Sequence, residues 1–291
     1  MKKKWIMTCC VVLLAGSVVY AASSSQIIGK TRSSRQAKHF VLSQSWAQRV
    51  YAGMIAKTRT KTRTAIAADD PMLTQTDFTH RINTLVGSVK ADVYVLDTKT
   101  GRKLTYYNGG TDFWLASSVK ASILTALVKE DGPLTGDLDE EAQAMITYSD
   151  NDAAVDLFDA AGGFPTLNTL WSNLGMTATV ADYDGFGLST STAGNQIKLL
   201  QYIQTMPAAD RDYILHLMKG IIPGQRFGIG VMKDPAFKNG WLNADNGRWY
   251  VNSIGYSDKQ RYLVAILTQN NADQDSGEKL VSRIAASIMK K

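Results

Sequence analysis

Ser117 and Lys120 have the types and the spacing for a nucleophile and its base. A serine hydroxyl attacks poorly until a neighbour takes its proton. Residues three apart on a helix share a face, with Cβ atoms about 5–6 Å apart, so the amine at 120 can reach the hydroxyl at 117. Val119, Ile123, Leu124 and Leu127 recur at helical spacing, which predicts a helix over 117–129 that begins at the serine. The Ser117 backbone N–H then lies at the positive end of the helix dipole. Acyl transfer is the chemistry such a pair suits. The spacing alone is not selective, because Ser276 to Lys279 and Ser287 to Lys290 repeat it. Both repeats fall in the predicted last helix, where surface serines and lysines are ordinary.

Two further groups narrow the choice. Ser149-Asp150-Asn151 occurs once, between two helical stretches, and Lys238-Asn239-Gly240 opens a predicted strand with Trp241 after it. Lys99-Thr100-Gly101 precedes the serine and joins two predicted strands, so it reads as a hairpin turn. Taken in order, Ser117 to Lys120, Ser149 to Asn151 and Lys238 to Gly240 resemble the S-x-x-K, S-D-N and K-T-G motifs of class A β-lactamases and penicillin-binding proteins. The resemblance spans roughly residues 72–291.

That resemblance implies roles. Ser117 would be the nucleophile and Lys120 its base, with Lys238 nearby to lower the Lys120 pKa. The N–H groups of Ser117 and Trp241 would form an oxyanion hole. Ser149 would pass a proton to the leaving nitrogen, Asn151 would hold the substrate amide, and Lys238 would attract the substrate carboxylate. Gly240 would leave room for an extended substrate along the strand edge. Asp150 is expected to brace its own turn, and the Trp241 side chain has packing as its plainer reading.

The sequence also departs from the pattern. Asn239 stands where Thr or Ser is usual, which removes one hydroxyl contact to the carboxylate. The stretch from Ser117 to Ser149 is short for class A and implies a trimmed helical lobe. Between Leu174 and Ala193, class A enzymes carry E-P-E-L-N, whose first Glu positions the deacylating water. Here residues 176–188 hold no Glu, and only Asp182 and Asp184 offer carboxylates.

The elements that must position these groups follow from periodicity and turn residues. A helix is expected over 74–85, and strands over 91–97 and 103–108 about a turn at 98–101. Helices follow over 138–148, 152–161, 165–174, 193–206 and 208–218. Strands return over 237–242, 248–256 and 261–268, with Asn246-Gly247 as a hairpin turn. A helix over 278–290, capped by Asp275 or Ser276, closes the chain. This order predicts one α+β domain over 72–291: an antiparallel five-stranded sheet flanked by terminal helices, with a helical lobe inserted between strands.

Composition sets the context. Residues 1–68 hold twelve Lys and Arg and no acid, whereas the rest carries 20 bases against 26 acids. Lys2 to Lys4, the apolar run 5–19 and Val19-Tyr20-Ala21 read as a signal peptide over 1–22, with an uncleaved anchor as the alternative. Either places the body outside the cytoplasm. Residues 23–71 read as a basic, solvated stalk with a short helix over 40–55; the sharper reading is attachment to an anionic wall polymer or membrane surface. Nucleic acid is not an expected partner of an exported chain. Cys9 and Cys10 lie inside the signal, so the mature chain has no disulfide and no thiol nucleophile. His39, His80 and His216 are scattered, and no metal or other cofactor is implied. A Ser-His-Asp esterase would need a G-x-S-x-G elbow that the sequence lacks.

Two functional readings remain. One is a serine hydrolase acting on β-lactams or on D-Ala-D-Ala ends of peptidoglycan peptides. The other is a penicillin-binding or wall-binding receptor that acylates once or not at all.

Overall fold

The computed structural model describes residues 71–290. The predicted export segment, with Cys9 and Cys10, lies outside the described residues, as does the stalk up to residue 70, with His39. Helix α1 (Gln75–Val86) is capped by Thr74, whose Oγ1 accepts from the Asp77 N–H at 3.1 Å. Strands β1 (Lys90–Asp97) and β2 (Lys103–Tyr107) form a hairpin about Lys99-Thr100-Gly101. After the two-residue strand β3 (Phe113–Trp114) and a tight turn (Ala116–Val119) come α2 (Lys120–Asp131), α3 (Asp137–Gln143), a π-helical turn (Ala144–Tyr148), α4 (Asp152–Ala160) and α5 (Gly163–Asn173). The two-residue strand β4 (Thr190–Ser191) pairs with β3 and leads to α6 (Ala193–Thr205) and α7 (Ala208–Lys219). Strands β5 (Ala236–Asn243), β6 (Trp249–Ser257) and β7 (Tyr262–Asn271) precede the last helix, α8 (Gln274–Ala286).

The five long strands form one antiparallel sheet in the order β2-β1-β7-β6-β5. The fold is therefore the expected α+β sheet with its helical lobe inserted between β2 and β5. Edge strand β2 alternates exposed and buried residues, whereas Tyr262 to Thr268 of central β7 are all buried. A strand covered on both faces has no solvent side on which to place polar residues. On one face α8 packs so closely that a Cβ on Gly277 would meet Val251. On the other, the Tyr256 hydroxyl donates to the Leu200 carbonyl of α6 at 2.7 Å.

Helix α2 is buried from Lys120 to Val128, as a helix at the centre of a lobe must be. Ile123, Leu124 and Leu127 each contribute about 1.5–3 kcal/mol by leaving water. The polar Ser122 in that setting is matched by the Trp171 indole N–H at 3.1 Å.

The structure corrects several boundaries. Ser117 sits in the 3₁₀ turn before α2 rather than inside the helix, because Ala116 turns the chain there with φ 48°. The last helix starts at Gln274 and ends at Ala286, since Asp273 and Ser276 form a reciprocal capping box ahead of the expected start. Ser287 and Lys290 thus lie beyond it, and the expected helix over 138–148 changes to π geometry at Ala144.

Candidate active site

The turn that carries Ser117 is built around the Leu115 carbonyl. It accepts from the Ser118 N–H at 3.1 Å and from the Ser118 hydroxyl at 2.6 Å. Ala116 is held in a left-handed conformation that non-glycine residues rarely adopt. Such strain persists only where the surroundings over-determine it. Here Asn252 of β6 donates to both the Trp114 and Leu115 carbonyls, at 2.7 and 3.2 Å, and Leu115 N–H donates to Ser189 at 2.8 Å. Ser117 is half-buried, and among the described residues its hydroxyl has no hydrogen-bond partner.

Lys120 is fully buried at the first position of α2. Its Nζ donates to the Ser149 carbonyl at 2.7 Å, the Asp150 carbonyl at 2.9 Å and Asn151 Oδ1 at 2.7 Å. Burial pulls its pKa down to about 8, partly opposed by the Asp150 charge. All three acceptors are thus supplied by one short loop. Losing a proton would cost the amine one of these hydrogen bonds and give it a lone pair.

Ser149 follows the π-helical turn with φ 61° and ψ 31°, a left-handed conformation of the kind that clusters at functional sites. Its hydroxyl accepts from Lys238 Nζ at 2.9 Å, while its carbonyl binds Lys120. Two buried lysines are joined through one serine. Lys238, fully buried on β5, also donates to the Asn239 carbonyl at 3.1 Å. Burial, and then the positive charge of Lys120, pushes its pKa well below the usual lysine value. Asp150 braces its turn as expected, accepting from the Ala153 N–H at 2.9 Å. That cap leaves the Asn151 amide for Lys120.

Strand β5 delivers the third group. Gly240 passes so close to the serine turn that a Cβ there would lie 2.6 Å from the Leu115 carbonyl and the Ser118 nitrogen, and 2.9 Å from the Ser117 nitrogen. Only glycine fits this approach. Side chains alternate along the strand, so Lys238 and Gly240 face the serine turn while Asn239 and Trp241 face α8. Asn239 donates to the Gln225 and Phe227 carbonyls at 2.9 and 3.1 Å and braces that loop. Its side chain is therefore turned away from the site, which a Thr hydroxyl at that position was expected to serve. The Trp241 ring packs edge-on against Phe227 at 5.8 Å, so only its backbone is on offer to a substrate.

The segment over 176–188 presents no carboxylate in the manner of the E-P-E-L-N motif. Asp182 Oδ1 accepts from the Asp184 N–H at 2.9 Å and caps its own turn, and Asp184 is exposed. The Phe186–Leu188 turn lies against the serine turn instead, with the Gly187 Cβ position 3.7 Å from Ala116 Cα. Gly185-Phe186-Gly187, which reads as a plain loop in the sequence, is thus part of the site wall. Phe186, Phe158, Phe164 and Tyr183 form a chain of ring contacts at 5.3, 4.9 and 4.8 Å that pins the segment to α4 and α5.

Sequence reasoning missed Ala116, Asn252 and this aromatic clamp. Asn252 alone leaves a signal, a polar residue beside Val251 and Ile254 in an apolar strand. Among the described residues no three His, Cys, Asp or Glu side chains gather as a metal site.

A family model described as the beta-lactamase enzyme family matches residues 131–291, more than half of the chain. The match includes Ser149 and Lys238; Ser117 and Lys120 precede it. No curated protein matches the chain. Among solved structures it is similar to the TLA-3 extended-spectrum beta-lactamase, with 18% identity and a TM-score of 0.63 over 74% of this chain and 98% of that one. It is also similar to PBP-A, with 22% identity and a TM-score of 0.62 over 75% and 97%. A mutant of PBP-A, solved as an acyl-enzyme complex with penicillin G, gives 22% identity and a TM-score of 0.58 over 75% and 97%. At these identities the structural likeness carries the fold.

Proposed function

Because the chain belongs to the beta-lactamase enzyme family, we propose that it is an exported serine hydrolase whose Ser117 forms an acyl ester with β-lactams or with D-Ala-D-Ala ends of peptidoglycan peptides. The observation that carries this reading is the pair of buried lysines joined through Ser149 beside the serine turn. Lys120, held near neutrality by burial, takes the proton as Ser117 Oγ attacks the carbonyl carbon. The carbonyl electrons move onto oxygen, where the N–H groups of Ser117 and Trp241 meet the negative charge. As the C–N bond breaks, the proton passes from Lys120 through the Ser149 hydroxyl to the leaving nitrogen, with Lys238 behind the relay. Lys238 attracts the substrate carboxylate towards the Ser149 end of the site. Asn151 holds the substrate amide, and the substrate lies along the open edge of β5, since the space above Gly240, which the sequence pattern assigned to substrate, is filled by the serine turn.

The second reading, a penicillin-binding receptor with slow deacylation, is favoured by one observation. The segment over 176–188 holds no Glu, and Asp182 is occupied by its own turn. Water attack on the ester then lacks a placed base. The basic residues of 23–71 would hold the body at an anionic wall polymer or membrane surface.

A fluorescent penicillin tests the acylation step. The full-length protein becomes covalently labelled, Ser117→Ala does not, and Ser276→Ala labels like the wild type. Labelling that survives Ser117→Ala overturns the assignment.

A further inference from the structure

The peptide that leads into Ser149 is held from both sides. Its N–H, on Ser149, donates to the Ala144 carbonyl at the start of the π-helical turn. Its carbonyl, on Tyr148, accepts from Gln225 Nε2 at 2.9 Å. Gln225 stands in the segment 220–227, which leaves the end of α7 and passes this turn, and the Ile222 N–H of the same segment donates to the Thr147 carbonyl at 3.2 Å. The other side of the segment is tied to β5, because Asn239 Nδ2 donates to the Gln225 and Phe227 carbonyls at 2.9 and 3.1 Å. Arg226 closes the segment on itself, donating to the Lys219 and Ile221 carbonyls, each at 3.2 Å, with its guanidinium over the Phe237 ring. A strap thus joins the loop that carries Ser149 to the strand that carries Lys238.

The strap has a chemical consequence. Ser149 keeps a left-handed backbone, φ 61°, which a residue other than glycine leaves unless its surroundings hold it there. In this conformation its carbonyl meets Lys120 at 2.7 Å and its hydroxyl meets Lys238 at 2.9 Å. Rotation of the Tyr148–Ser149 peptide would carry the hydroxyl away from Lys238. Resting on the acyl-transfer reading above, we propose that Gln225, anchored by Asn239, is a positioning residue that holds the Ser149 hydroxyl where it protonates the leaving nitrogen. The step it serves is narrow. As the C–N bond breaks, the nitrogen takes the bonding pair and the Ser149 proton, and Ser149 Oγ takes the proton that Lys120 removed from Ser117. An ester with a stabilised phenolate as leaving group needs no such proton. Its C–O pair departs on the oxygen, and Lys120 keeps the proton. Attack by Ser117 is common to both reactions, so the strap acts on one and not on the other.

Gln225→Met keeps the length of the side chain and removes its donor. Two acyl donors read the effect on the full-length protein: benzylpenicillin, by intact mass, and the p-nitrophenyl ester of N-phenylacetylglycine, by nitrophenolate release above the Ser117→Ala background. The variant acylates with benzylpenicillin about ten- to a hundredfold more slowly than wild type, the scale of a displaced proton donor. With the ester it stays within twofold. Asn239→Ala shows the same contrast. In a Ser149→Ala background, Gln225→Met costs nothing further with benzylpenicillin, because the group it positions is already gone. Equal losses with both donors, no loss with benzylpenicillin, a further loss in the Ser149→Ala background, or a wild type that takes only the ester each overturn the positioning role and leave acyl transfer standing. A wild type that reacts with neither donor overturns the acyl-transfer reading and the positioning role with it.

Discussion

At Lys120 the cost of burial becomes a chemical property. The amine sits in a fully buried position with three neutral acceptors around it, and its pKa falls to about 8. A base must be deprotonated to act, so the neutral fraction sets the acylation rate. For a group at about 8 that fraction is about a tenth at pH 7 and about nine-tenths at pH 9. The acylation rate with benzylpenicillin should therefore climb nearly tenfold between these pH values and level off above, as stopped-flow or quenched mass measurements would read. A flat profile would remove Lys120 from the role of base. Lys120→Arg should abolish acylation, because a guanidinium stays protonated throughout this range. Ser117, Lys120, Ser149 and Lys238 were legible in the sequence through the order of three short motifs and the family that this order resembles, since the Ser117–Lys120 spacing by itself recurs twice. The loss of a hydroxyl contact at Asn239 was legible, but the turn of its side chain to the Gln225 and Phe227 carbonyls was not, since a motif letter does not say which partners a longer side chain will find.

Elements position these groups by close approach rather than by long-range order. Strand β5 touches the serine turn only because residue 240 has no Cβ. Gly240→Ala should push strand and turn apart and lower acylation by about 10²-fold or more, on the scale of losing one oxyanion donor. The thermal midpoint should fall by only a few degrees, and a variant that acylates like the wild type would contradict the close approach. Asn252 braces the same turn from β6, donating to Trp114 and Leu115 and accepting from the Thr268 N–H at 3.1 Å. Asn252→Ala takes this partner from the Trp114 carbonyl and the Thr268 N–H, while Leu115 keeps Ser118, and should cost about 1–3 kcal/mol in urea unfolding. Helix and strand periods made most elements readable before the structure. The two-residue strands β3 and β4 and the left-handed Ala116 were not readable, because they exist through contacts between distant segments and leave no periodic trace.

At the scale of the whole molecule, a sheet made from both ends of the fold holds the helical lobe against one edge strand, and the site lies where turn, lobe and strand meet. The outcome for the substrate is decided by the wall beside the turn. An aromatic clamp through Phe158, Phe164, Tyr183 and Phe186 holds that wall, and the segment offers no Glu. The acyl-enzyme should consequently outlast its formation by orders of magnitude, visible as an adduct that remains for minutes to hours after excess penicillin is removed. Rapid clearance would mean that another group, with Asp182 and Asp184 the first to substitute, activates water. The fold class was legible from the order of elements alone, whereas the clamp was not, since its four rings are scattered over 158–186.

The central claim is that Ser117 is the nucleophile. Its most direct test is peptide mapping by mass spectrometry of the full-length protein after reaction with benzylpenicillin. The account predicts a single benzylpenicilloyl group on the peptide that contains Ser117, and none in Ser117→Ala. An adduct on any other serine, or one that persists in Ser117→Ala, would contradict it.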